Sequence, residues 1–207
     1  MSKRGYHHGN LRQALVDAAL ELIRQKSPQG FTLTEAAKAA GVTPAAVYRH
    51  FQGREDLIAE CARQGFVIFA DLMEHAYATG QPSALASLEA AGRAYLAFAR
   101  KYPGHYMAMF ESGLSLNANP DLCTVANRAS EVLERAAREL SQHIPPGKRP
   151  PVAMVSAHIW ALSHGVVELY TRGTPGARAP FPAEDLLESG IGIYLRGLGL
   201  IPADAQS

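Results

Sequence analysis

Apolar residues recur three and four positions apart along almost the whole chain, and no stretch of useful length alternates polar with apolar positions. The pattern predicts an all-α protein. Its first stripe is Leu11, Leu15, Ala18, Leu22 and Ile23, with Asn10 placed as N-cap and Gln13 placed to close a capping box. "SPQG", Ser27 to Gly30, ends that helix. Thr32 and Glu35 form a second capping box before a short helix that stops near Gly41, since glycine takes the left-handed conformation of a helix C-terminus at low cost. Arg54 opens a long amphipathic helix carrying Leu57, Ile58, Cys61, Phe66, Phe69 and Met73, and "TGQPS" ends it. Further helical segments run over about 84–101, 104–111, 121–143, 152–172 and 184–200, separated by "YPG", "NANP", "IPPGKRPP" and "TPGARAPFP".

One stretch breaks the monotony. In "GVTPAAVYRHF", Gly41 to Phe51, a proline falls inside what otherwise reads as helix. Thr43 as N-cap and Pro44 at the first helical position, where the missing N–H costs nothing, make the proline a start signal. Two short helices joined by a glycine-containing turn form a helix-turn-helix, whose second helix enters the DNA major groove. On that helix, from Pro44 to His50, Val47 and Phe51 face the first two helices, leaving Thr43, Ala45, Ala46, Tyr48 and Arg49 outside.

Charge strengthens this. The net charge of +1 says nothing by itself, but residues 1–54 hold eight Lys or Arg against three Asp or Glu, while the remainder holds 12 against 16. A basic end on a mildly acidic body fits a polyanionic partner, or else a solvated charged face. With 207 residues, 47% of them hydrophobic, the chain can bury a proper core. No run of about 18 uninterrupted apolar residues appears and "MSKRGYHHGN" lacks the apolar centre of a signal peptide, so the expectation is a soluble, cytoplasmic protein with no membrane partner. Cys61 and Cys123, without C-x-x-C spacing, support neither a disulfide framework nor a thiolate metal site. His158 and His164 lie six apart, on different helical faces. "GIGIYLRG" departs from a dinucleotide loop, and no hydrolase or zinc-protease motif occurs. No catalytic residue, metal or cofactor is expected.

The residues "FTLTEAAKAAGVTPAAVYRHFQGREDLIAEC" resemble the TetR family of bacterial transcriptional regulators, most strongly over about residues 8–60. "YHHGNLR" and "WALSHG", Trp160 to Gly165, look like the branch of that family whose C-terminal domain carries a Trp-His-Gly signature. The resemblance implies a nine-helix homodimer, with a DNA-binding head at residues 1–53 and an effector-binding and dimerisation body at 54–207. It also implies that Thr34 points toward the groove and that Arg54 stands where the family usually has a phosphate-binding lysine.

The residue chemistry supports an operator contact. Tyr48 and His50 can donate to phosphate oxygens, or else serve simply to pack the head; Arg49 can pair with guanine or phosphate. Small side chains at Ala45 and Ala46 permit close approach and contact with thymine methyls. Lys3, Arg4, His7 and His8 form a basic arm that either reaches an adjacent minor groove or is only a solvated terminus.

In the body, Phe66, Phe69, Tyr95, Phe98, Tyr102, His105, Tyr106, Met109, Phe110, Trp160 and His164 are candidates for an apolar small-molecule pocket with polar handles, against the reading that most are core. Trp160, His164 and Glu168 recur at four-residue spacing, so they share a stripe that is either an internally satisfied polar cluster or the wall of a cavity. The last helix, Leu186 to Leu200, is apolar nearly all round and should bury one side on its own body and one on a partner. The function expected is a DNA-binding transcriptional regulator, a repressor released from a palindromic operator by a small hydrophobic effector. The alternative is a ligand-independent operator-binding protein whose body serves dimerisation or a protein partner.

Overall fold

The structure, a computed structural model, describes residues 11–116, 119–171 and 180–202. The described residues form α-helices without strands: α1 (Leu11–Lys26), α2 (Leu33–Ala39), α3 (Pro44–Val47), α4 (Arg54–Thr79), α5 (Ala84–Lys101), α6 (Pro103–Phe110), α7 (Pro120–Leu140), α8 (Val152–Val166) and α9 (Ala183–Gly197). A 3₁₀ turn, Pro146–Lys148, precedes α8, and a π-helical turn, Val167–Thr171, follows it. The chain divides into two compact units, one of residues up to Val67 with Tyr102–Thr124, the other of Ile68–Lys101 with the residues from Val125 onward.

The first unit contains the helix-turn-helix. Leu15, Val16, Ala19 and Ile23 of α1 are buried with Phe31, Ala36, Ala37, Val47, Phe51, Leu57 and Cys61, the apolar set that fixes α2 and α3. The Thr32–Glu35 capping box forms as its spacing predicts: Thr32 Oγ1 accepts from the Glu35 amide and the Glu35 carboxylate accepts from the Thr32 amide. At the other end Gly41, with φ of +72°, closes a Schellman turn in which the Gly41 and Val42 amides donate to the Lys38 and Ala37 carbonyls at 3.1 and 2.9 Å. α6 also belongs to this unit. It lies so close on α1 that a Cβ on Gly104 would come within 2.6 Å of the Leu20 carbonyl oxygen.

Three expectations at this end are corrected or fall outside. α3 is α-helical only over Pro44–Val47; Tyr48–His50 continue as a tightened turn in which His50 N–H donates to Val47 O. Thr43 has the extended N-cap backbone, but its hydroxyl makes no cap hydrogen bond, so Pro44 alone supplies the start signal. The Asn10 cap lies outside the described residues, and Gln13 bonds Asp17 and Gln64 instead.

In the second unit, α5 buries Leu88, Ala91, Tyr95, Leu96, Phe98 and Ala99, and packs on α8 and α9. Tyr77 donates to Glu139 at 2.6 Å beneath the Arg135 guanidinium. Arg93 pairs with Glu188, and Arg100 with Glu184, tying α5 to α9. α9 buries Leu187, Ile191 and Leu195 but leaves Ile193 67% exposed. α8 similarly buries Val155, Ile159 and Val166, and exposes Met154 and Leu162. Val152–Tyr170 is long and apolar enough, by length and composition, to cross a membrane, yet only 28% of it is buried within the chain.

Candidate nucleic-acid interface and aromatic cluster

The helix-turn-helix presents its polar residues outward because Val47 and Phe51 take the inward positions of the recognition segment, at 0% and 1% exposure. Thr34, Thr43, Pro44, Ala45 and Arg49 are exposed, Ala46 and His50 are half-buried, and Tyr48 is 63% exposed. Large aromatics normally bury; Tyr48 instead holds both ring and hydroxyl in solvent. Neither the Tyr48 nor the Arg49 side chain has a hydrogen bond or ion pair among the described residues. Tyr48 therefore does not pack the head, whereas His50 is half-buried against it.

Thr34, Tyr48 and Arg54 line one open groove of about 520 Å³ together with Phe31, Thr32 and Glu55. Arg54 is partly committed: its Nη1 donates to the carbonyls of Gln29 at 3.1 Å and Phe31 at 3.4 Å, leaving the other guanidinium donors without a partner among the described residues. The Glu35 carboxyl beside the groove is held down to about 2 by the Lys26 ammonium, then by the Thr32 amide and hydroxyl, so it stays ionised. Behind the recognition segment, Glu60 joins α4 to α1. It accepts from Arg63 at 2.8 Å, Gln64 at 2.9 Å and Arg12 at 3.0 Å, while the Arg12 guanidinium lies 4.9 Å from the Phe51 ring centroid. Lys3 and Arg4, with His7 and His8, lie outside the described residues.

The candidate ligand residues form two groups, one in each unit. In the first unit, Phe66 meets Phe110 edge-on at 5.8 Å, and Phe110 leans on Tyr106 at 4.8 Å. Gly65 makes room there: a Cβ would lie 2.6 Å from Met109 Sδ and 3.0 Å from His105 Cβ. Burial pushes the His105 imidazole below its ordinary value, favouring the neutral ring, and the Asp17 carboxylate opposes this shift.

In the second unit, Phe69 sits between Tyr95 and Phe98 at 4.9 and 5.0 Å. Tyr95 stacks on Trp160 at 5.4 Å and 17°, and Trp160 on His164 at 6.0 Å and 12°. His164 Nδ1 and the Tyr95 hydroxyl are 2.7 Å apart, so the imidazole is satisfied by the ring it stacks near. Phe69, Tyr95 and Phe98 are fully buried, whereas Trp160 is half-exposed and closes a groove of about 320 Å³ between α7 and α8, with Ser130, Leu133, Glu134, Ala153, Ser156 and Ala157. A π-helical turn, bonded i to i+5, begins at Val167 and includes Glu168, which is half-buried like Trp160 and His164. His158 pairs separately with the Tyr194 hydroxyl at 2.8 Å.

Comparison with known proteins agrees with both units. Residues 88–194 match the family model described as a tetracycline-repressor-like C-terminal domain, and residues 15–61 match bacterial regulatory proteins of the tetR family. The chain is 33% identical over 101 residues to YobS, an uncharacterised HTH-type transcriptional regulator of Bacillus subtilis (strain 168), a match covering 48% of this chain and 51% of the relative. The chain thus spans about half the length of that curated relative. Among solved structures it is similar to a Rhodococcus sp. RHA1 protein of unknown function, with a TM-score of 0.77, 24% identity and coverage of 94% and 98% of the two chains. It also shares its fold with the Bacillus subtilis transcriptional regulator FadR in complex with stearoyl-CoA, with a TM-score of 0.73, 17% identity and coverage of 89% and 98%. With the head and most of the body matched, the chain belongs to the TetR family of DNA-binding transcriptional regulators.

Proposed function

We propose that the chain is a cytoplasmic, homodimeric repressor that leaves a pseudo-palindromic operator when a small hydrophobic effector binds its body. The division of labour follows residues 1–53 for reading DNA and 54–207 for effector binding and dimerisation. The observation that carries the DNA contact is the outward display of Tyr48 and Arg49 from a segment whose Val47 and Phe51 are buried, with Tyr48 sharing an open groove with Thr34 and Arg54. Tyr48 and His50 then position the head on phosphates, Ala45 and Ala46 allow close approach, and Arg49 reads a base or a phosphate. Lys3 and Arg4 supply additional phosphate contacts.

The dimer is supported by the faces that α8 and α9 leave open. Met154, Leu162 and Leu169 are 56%, 38% and 65% exposed along one side, and Ile193 is exposed on α9. Gly165 and Gly190 lie within these segments although, among the described residues, nothing stands within 4 Å of where a Cβ would be. Glycine inside a helix costs about 1 kcal/mol relative to alanine, and a closely approaching second copy gives it a purpose. Trp160, His164 and Gly165 support a body of the Trp-His-Gly branch. Their stack with Tyr95, open to the α7–α8 groove at Trp160, is the wall of the effector site, and the FadR complex with stearoyl-CoA makes acyl thioesters the first class to try. A second reading, a body that only dimerises, is favoured by the complete burial of Phe69, Tyr95 and Phe98.

The test is fluorescence anisotropy with a duplex selected from a randomised pool, titrated with stearoyl-CoA, a short-chain acyl-CoA and a free fatty acid. Trp160, the single tryptophan, reports on the stack. Release of DNA over the concentration range that perturbs its emission supports the effector reading. Release by none of these and by no extract of hydrophobic metabolites favours the second reading.

A further inference from the structure

We propose that Gln29, in the turn between α1 and α2, is a positioning residue for DNA reading, fastening the start of the DNA-reading surface to the carboxyl end of α6. The inference rests on the head being the DNA-binding element and goes beyond it by naming how the head is held.

Gln29 is exposed, so its side chain has no packing reason to adopt one conformation. Its amide nevertheless donates to two carbonyls, Glu111 O at 3.1 Å and Ser112 O at 2.9 Å. Glu111 is the C-cap of α6, where the last carbonyls have no intrahelical partner and carry the negative end of the helix dipole. The backbone of Gln29 then completes the connection, because its own carbonyl accepts from Arg54 Nη1, the same nitrogen that reaches Phe31 O. Phe31 precedes Thr32, the cap of α2, and Thr32, Thr34, Tyr48 and Arg54 share the open groove of the head. A short relay therefore runs from the α6 terminus through Gln29 to Arg54 and the first turn of α2.

α6 is well placed to act through that relay. Its start is fixed by backbone contact, Gly104 against Leu20, His105 and the penultimate Met109 pack over Gly65, and the carbonyls just beyond secure the turn before α2. Gln29, Arg54, Ser112 and Leu114 also line a cavity of about 470 Å³, which keeps the relay in contact with solvent. Gln29 contributes to the orientation of the reading surface and little to the cohesion of the fold, since a surface residue of this kind removes no buried contact when truncated.

The experiment compares wild type, Gln29→Ala and Gln29→Lys, the last retaining a long side chain that donates to carbonyls. Anisotropy measures binding to a duplex selected by the wild type from a randomised pool and to a scrambled duplex of equal length, with the thermal midpoint measured in parallel. Selection of a duplex by the wild type tests DNA reading itself, apart from Gln29. For Gln29→Ala the expected result is about fivefold weaker binding to the selected duplex, about 1 kcal/mol, with the scrambled duplex and the midpoint unchanged. Gln29→Lys should recover most of the loss, and amide exchange at Phe31–Thr34 should quicken in the alanine variant alone. Unchanged binding to the selected duplex, equal weakening on both duplexes, or absence of rescue by lysine would overturn the proposal.

Discussion

Replacing Glu60 by glutamine tests how the recognition segment is held from behind. The Glu60 side chain is 8% exposed and faces two arginines, Arg12 and Arg63, that are 49% and 42% exposed. Burial alone would push its carboxyl up, but hydrogen bonds from Arg63, Gln64 and Arg12 outweigh burial and bring it from 4.5 down to about 2. A depressed folded-state value means stability that is fully present above the unfolded value of about 4.5 and lost as pH falls through about 2. The full shift corresponds to about 3 kcal/mol at 1.36 kcal/mol per unit, and screening of the half-exposed arginines reduces this to about 1–2 kcal/mol. At pH 3 about two fifths of that contribution remains, from the same linkage relation. Urea unfolding of wild type and Glu60→Gln at pH 7 and pH 3 measures it. The variant should be less stable by about 1–2 kcal/mol at pH 7, with the gap more than halved at pH 3. A gap that is absent at pH 7, or that does not shrink at pH 3, would refute the reasoning.

Other perturbations separate the parts of the protein. Tyr48→Phe should weaken binding to all duplexes about equally, by about 1 kcal/mol, whereas Arg49→Ala should cost about 1–3 kcal/mol and relax preference at one position if it reads guanine; anisotropy on selected and substituted duplexes distinguishes the two. Ile193→Arg, at a 67% exposed position, should leave the monomer folded and abolish dimers at micromolar concentration in sedimentation, and an unaltered dimer would place the interface elsewhere. Gly104→Ala should cost about 1–3 kcal/mol in urea unfolding, because the new methyl meets the Leu20 carbonyl oxygen at 2.6 Å.

Helix positions were largely legible because capping and periodicity are local. Thr32 with Glu35, Gly41 and the segment Ala84–Lys101 are all where their residues indicate. The π-helical turn after Val166 was not, since a change from i+4 to i+5 bonding carries no punctuation in "SHGVVELYT". The early end of α3 was hidden for a similar reason: "VYRHF" keeps helical spacing while the chain tightens into a turn. For the candidate interface, polar residues on a helix with two clear inward positions could be assigned outward, as Tyr48 and Arg49 are. The aromatics could not be sorted in this way, because Phe69 and Trp160 have the same helical spacing whether they fill a core or border a groove. Gln29 gave no signal at all, its partners being carbonyls 82 and 83 residues away.

The most direct test of a head that reads DNA as one half of a dimer is selection of duplexes from a randomised pool by the wild-type protein, with the enriched sequences aligned. The expected result is a pseudo-palindrome whose half-sites lie about one helical turn apart or a multiple of it, lost when the selection is repeated with a Tyr48→Phe, Arg49→Ala double variant. Enrichment of a single unpaired half-site, no enrichment at all, or the same palindrome recovered by the double variant would contradict it.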